Sequence, residues 1–78
     1  MATRFQFYDA RPEDQGTRQL IQVHVDRLLR QCREIPVAYW PHLVNRACQR
    51  LADRGADDTI VRRIYRRTVR ELRLRAWP

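Results

Sequence analysis

The stretch IVRRIYRRTVRELRLR, from Ile60 to Arg75, contains seven arginines and a single acidic residue. Projected at about 100° per residue, its core-facing positions fill one half of a helical wheel and its arginines the other. The core-facing half consists of Ile60, Val61, Ile64, Tyr65, Thr68, Val69 and Leu72. The basic arc, about 140° wide, consists of Arg62, Arg63, Arg66, Arg67, Arg70 and Arg73. The pattern predicts an amphipathic helix from about Asp58 to about Arg75.

The basic arc concentrates charge of one sign. Arg62 and Arg66, Arg63 and Arg67, and Arg66 and Arg70 are like-charged pairs four residues apart. Each such pair costs an isolated helix about 0.2–0.5 kcal/mol, whereas opposite charges at this spacing stabilise it. Because no acidic residue within the stretch interrupts the arc, we interpret it as an anion-binding surface. The alternative is an ordinary solvated helix face.

Two further apolar stripes precede this segment. The first extends from Thr17 to Arg33 and ends at REIPVAYWP, where Pro36 and Pro41 disfavour helix in the residues before them. It consists of Leu20, Ile21, His24, Val25, Leu28, Leu29 and Cys32. The second consists of Trp40, Leu43, Val44, Ala47, Cys48 and Leu51. Gly55 suits a left-handed C-cap after it, and Asp57 or Asp58 suits the N-cap of the last helix.

These stripes predict a mostly α fold, a small three-helix domain over residues 17–78. Residues 1–16 are predicted to be a short extended N-terminal arm or strand, because Phe5 and Phe7 alternate with polar residues. The arm either folds over the bundle or pairs with another chain, so a homodimer is an alternative. The predicted interior takes apolar members of all three stripes, with Leu20 and Leu28 from the first.

The net charge is +7, and all sixteen positive side chains are arginine. Residues 1–59 nearly balance their charges, whereas residues 60–78 hold seven arginines and only Glu71. Such asymmetry indicates an anionic partner. No run approaches the length of a membrane span, and the N-terminus lacks the apolar region of a secretory signal. We therefore expect a cytoplasmic protein.

The sequence offers little for catalysis or metal binding. It lacks serine and lysine, which are two common nucleophiles. Cys32 and Cys48 lie on apolar stripes, where a buried free thiol is the usual role. His24 and Cys32 are eight residues apart on one helix, about 12 Å along its axis, too far to share a zinc ion. We expect no enzyme activity, no cofactor, no metal and no small-molecule substrate.

The segment LADRGADDTIVRRIYRR has the outline of a helix-turn-helix motif. Leu51 stands where the first helix of that motif needs a small residue. Asp57 and Asp58 would repel phosphate at the end of the second helix that usually approaches the bases. The sequence therefore favours arginines that follow phosphates without reading base sequence.

The resulting hypothesis is a small accessory or regulatory protein that binds a DNA or RNA backbone through the basic arc. The alternative is an interaction module or inhibitor, for example from a phage or mobile element, that docks on an acidic protein surface. Its anchors would include Tyr39, Trp40 and Trp77, since arginine, tyrosine and tryptophan dominate interface energetics. Membrane binding by the last helix ranks lowest, because the core needs the apolar half of that helix.

Overall fold

The computed structural model describes residues 15–76, and within them three α-helices and no strand. The helices are α1 (Gln15–Arg33), α2 (Trp40–Asp53) and α3 (Asp58–Arg73), with a short 3₁₀ helix at Val37–Tyr39 before α2. This confirms the predicted mostly α, three-helix domain. None of the three described helices is long and apolar enough to span a membrane.

Two helix boundaries differ slightly from the prediction. Helix α1 begins at Gln15, so Gln15 and Gly16 belong to the helix and not to the predicted arm of residues 1–16. Helix α3 ends at Arg73, because the N–H of Arg75 donates to the carbonyl of Leu72 and tightens the chain into a turn. The rest of the predicted arm lies outside the described residues.

Helix α3 is the centre of the bundle, and both other helices pack more extensively against it than against each other. The connections after α1 and after α2 are short, so consecutive helices run in opposite directions and α1 is parallel to α3. The contacts agree, because Arg67 reaches Gln22 while Arg75, two residues beyond the end of α3, acts electrostatically on Cys32. The C-terminal ends of α1 and α3 therefore lie side by side.

The turn between α2 and α3 has the geometry that the sequence predicts. Gly55 adopts a φ of 91°, in the left-handed region that favours glycine. Its N–H donates to the carbonyl of Ala52 and the N–H of Ala56 to that of Leu51, which together form a Schellman motif. Asp57 caps α3 by accepting from the N–H of Thr59 at 2.8 Å.

The core is formed by apolar residues of all three helices together with the buried Thr68. Its apolar members are Ile21, Val25, Leu28, Leu29, Cys32, Trp40, Val44, Cys48, Val61, Ile64, Val69 and Leu72. Leu43, Ala47, Leu51 and Ile60 are only partly buried against it. Leu20 is 46% exposed, so its predicted place in the core is wrong. It lies on the flank of the stripe, beside Ile21, which takes the central position.

Candidate nucleic-acid interface

The six predicted arginines lie on α3, and all except the half-buried Arg63 are exposed. Arg62 forms an ion pair with Asp58, with 3.1 Å between Nε and Oδ2. The arc is therefore not free of acidic neighbours at its start, because Asp58 stands one turn before Arg62 on the same face. Both side chains are largely in solvent, so this pair contributes little to stability.

Arg67 and Arg70 turn towards α1 and line a cleft of about 530 Å³ between α1 and α3. The cleft brings five guanidinium groups together from separate parts of the chain. Its charged residues are Arg30, Arg33, Arg67, Arg70, Arg75, Asp26 and Glu71. Positive charge exceeds negative charge by three in this cleft. We call it the arginine cleft.

The parallel arrangement of α1 and α3 explains why the arginines converge. Arg30 and Arg33 occupy the last turn of α1, and Arg70 and Arg73 occupy the last turn of α3. The C-terminus of a helix carries partial negative charge, which stabilises cations there by about 0.3–1 kcal/mol each. The two helix ends thus lower the cost of crowding guanidinium groups at one end of the bundle.

Most guanidinium groups of the arginine cleft have no carboxylate partner within the described residues. Arg67 donates from Nη2 to Oε1 of Gln22 at 3.2 Å, and Gln22 donates to Asp26 at 2.8 Å. This chain of hydrogen bonds links α3 to α1 and occupies one carboxylate of the cleft. Within residues 15–76, neither Arg30 nor Arg33 forms an ion pair. Arg70 and Arg75 likewise form no ion pair within residues 15–76. The cleft therefore presents donors that an anion can satisfy.

The sequence predicted two of the five arginines in this cleft. It identified Arg67 and Arg70 from the wheel of α3 but missed Arg30, Arg33 and Arg75. A wheel describes one helix at a time, whereas the cleft joins two helices. The available signal was the shortness of both connections, which places the C-terminal ends of the first and third helices together.

The three predicted partner-binding aromatic residues fall in different environments. Tyr39 is 59% exposed and is available for contact. Trp40 is 8% exposed, and its Nε1 donates to the carbonyls of Cys32 at 2.7 Å and Ile35 at 3.2 Å. Trp40 thus closes the end of α1 from within the core, which leaves little of its ring exposed for the predicted contact with a partner. Trp77 lies outside the described residues.

The titratable groups of the interior favour their neutral forms. Burial raises the pKa of the Cys32 thiol, an effect that nearby Arg75 partly opposes, and burial also raises the pKa of Cys48. Both cysteines are free and buried, as the sequence predicted. Burial and then the charge of Arg27 lower the pKa of His24. Among residues 15–76, no group of three or more His, Cys, Asp or Glu side chains is positioned to hold a metal ion.

Comparisons with known proteins found no relative of this chain. A scan against protein-family models, a search of curated proteins and a search of solved structures each found no match.

Proposed function

We propose that the protein binds the phosphate backbone of a nucleic acid, as a non-enzymatic accessory or regulatory factor. The observation that supports this most directly is the arginine cleft. There Arg30, Arg33, Arg70 and Arg75 share one hollow, and no ion pair within residues 15–76 neutralises them. Phosphate oxygens are strong acceptors for guanidinium donors, which can bind them in a bidentate manner.

A polyanion fits better than a single anion because the basic surface extends beyond the cleft. Arg66 and Arg73 are exposed on the outer face of α3, next to the cleft residue Arg70. Helix α3 has 16 residues, which corresponds to a length of about 24 Å. A surface of that length can contact several phosphates of one strand, and such contacts carry no base preference.

The salt dependence of binding tests this proposal. We expect the affinity for duplex DNA or for RNA to fall linearly on a log–log plot against salt. The expected slope is close to −0.9 per duplex phosphate contact, so four contacts give about −3.6. Fluorescence anisotropy with a labelled oligonucleotide measures the affinity at each salt concentration. Absence of binding to both DNA and RNA at about 50 mM salt, where such contacts are strong, would contradict the proposal.

Charge variants locate the interface. We expect the combined substitution of Arg70 and Arg75 by glutamate to weaken binding at least tenfold, while circular dichroism shows that the helices persist. The matched control reverses two exposed arginines of α2, Arg46→Glu with Arg50→Glu, and should retain most of the affinity. Equal losses in both variants would indicate nonspecific attraction to the total charge.

An acidic protein surface is the alternative ligand for the same arginines. The observation in its favour is that all sixteen cations are arginine, the residue suited to planar bidentate pairing with carboxylates. Substituting Arg30, Arg33, Arg70 and Arg75 by lysine separates the two functions. Binding driven by phosphate charge should largely survive this change. Binding that depends on the planar fork of the guanidinium group should be lost.

A further inference from the structure

A second basic surface lies on the other flank of α1, where α1 faces α2. Two adjoining hollows of about 540 and 250 Å³ share Gln31, Ala47 and Arg50 and together form one groove. None of the residues that line this groove also lines the arginine cleft. The α1–α2 groove is therefore a separate surface of the same domain.

The floor of the α1–α2 groove is apolar. Leu43, Ala47 and Leu51 stand at successive turns of α2 and are only partly buried. Within residues 15–76 they remain uncovered, because α1 and α2 pack mainly against α3 and the small side chain of Ala47 leaves space between them. Ile35 extends the apolar floor at one end, beside the exposed ring of Tyr39.

The rim of the groove is basic. Arg46 and Arg50 line its larger hollow, and Arg27 and Arg54 line the smaller one with Arg50. All four are exposed, and none forms an ion pair within residues 15–76. Glu34 is the acidic residue that lines the groove among the described part of the chain. The groove thus combines an apolar centre with unpaired positive charge along its edges.

We propose that the α1–α2 groove binds an acidic amphipathic helix of a partner protein. The apolar stripe of that helix would lie on Leu43, Ala47 and Leu51, and its acidic flanks would pair with the arginine rim. A helix of about 15 residues matches the length of α2. Such a helix would cover the exposed edge between α1 and α2 and convert the three-helix domain into a four-helix bundle.

Two other occupants fit the groove less well. A nucleic acid would satisfy the arginine rim but would place a charged backbone over the apolar floor, which gains nothing from it. A second copy of this chain would bring a like-charged rim against the first, since each copy carries a net charge of +7. An acidic amphipathic helix complements both the floor and the rim.

A designed peptide tests this inference. The probe is a helical peptide of about 15 residues with leucine along one face and glutamate on both flanks. Its control has the same composition in an order without an apolar stripe. We expect saturable binding of the probe by calorimetry and at least tenfold weaker binding of the control. Amide shifts in ¹⁵N spectra should map to α2 and to the facing side of α1. Equal binding of both peptides, or shifts confined to the arginine cleft, would overturn the proposal.

Paired variants make the test independent of folding and of nucleic-acid binding. Arg46→Glu with Arg50→Glu should weaken the probe at least tenfold while leaving the affinity for an oligonucleotide nearly unchanged. Arg70→Glu with Arg75→Glu should weaken the oligonucleotide at least tenfold while leaving the affinity for the probe nearly unchanged. Ala47→Phe should block the probe without changing any charge. Competition between the probe and the oligonucleotide for one site would contradict the inference. A dimer seen by sedimentation that Ala47→Phe dissociates would also contradict the inference, because the groove would then bind a second copy of this chain.

Discussion

The hydroxyl group of Thr68 is the polar atom that the described core leaves unsatisfied. The side chain is 0% exposed, and its Oγ1 has no hydrogen-bond partner within the described residues. An unpaired buried hydroxyl costs about 1–3 kcal/mol of desolvation energy. Thr68 nevertheless suits the core, because it has a methyl group and lies on the same face of α3 as the buried Ile64 and Leu72, four residues before and after it.

Replacing Thr68 by valine tests this account at the scale of one atom. Thr68→Val keeps the β-branched shape and removes the hydroxyl, so the free energy of unfolding should rise by about 1 kcal/mol. Thr68→Ser keeps the hydroxyl and removes the methyl group, so it should lower that free energy by about 0.8 kcal/mol or more. Urea unfolding followed by circular dichroism measures both. A destabilised valine variant would show that the hydroxyl has a partner in solution.

At the scale of one element, α1 shows how narrowly burial follows the helical stripe. Leu28 is 4% exposed, whereas Leu20, two turns earlier on the same helix, is 46% exposed. Both positions fit an apolar periodicity, and the sequence alone assigns both to the core. The tertiary contacts decide between them, because α3 and α2 cover the face that contains Leu28 and leave much of Leu20 in solvent.

The two leucines form a matched pair for mutation. Leu28→Ala should lower the free energy of unfolding by about 2–5 kcal/mol, because it leaves a cavity in a packed interior. Leu20→Ala should lower it by only about 1 kcal/mol, since the side chain is 46% exposed in the folded state. Thermal unfolding of the two variants under identical conditions provides the comparison. Equal losses would place Leu20 against another part of the chain or against another molecule.

At the scale of the whole molecule, like charge accumulates where the C-terminal ends of α1 and α3 meet. The arginine cleft holds five guanidinium groups beside two carboxylates. Mutual repulsion of these groups opposes folding in the absence of a ligand, and salt screens it over a Debye length of about 10 Å at 0.1 M. The domain therefore carries an electrostatic repulsion that an anion bound in the cleft would relieve.

This repulsion predicts that salt stabilises the free protein. The melting temperature should rise as sodium chloride increases from about 10 mM to about 500 mM, because screening becomes effective within this range. The rise should be smaller in Arg33→Gln with Arg70→Gln, which removes two charges from the cleft. A control with Arg46→Gln and Arg50→Gln removes the same charge from another surface. If both double variants respond equally, the effect belongs to the total charge and not to the cleft.

The sequence by itself determined the helices and their caps. Each of the three apolar stripes became a helix, and Gly55 and Asp57 adopted the capping roles that their chemistry favours. These features follow from local spacing and from backbone preferences, which are visible within a single segment of the sequence. The basic outer face of α3 is local in the same sense, since it follows from the period of 3.6 residues.

The tertiary structure decided which arginines act together and which aromatic residues remain accessible. Arg30 and Arg33 join Arg70 and Arg75 because α1 and α3 are parallel, a relation between segments that no single helical wheel contains. Trp40 is a core residue whose indole N–H donates to the carbonyls of Cys32 and Ile35, at and just after the end of α1. Sites formed between elements depend on packing, and packing is settled only when all three helices share one core.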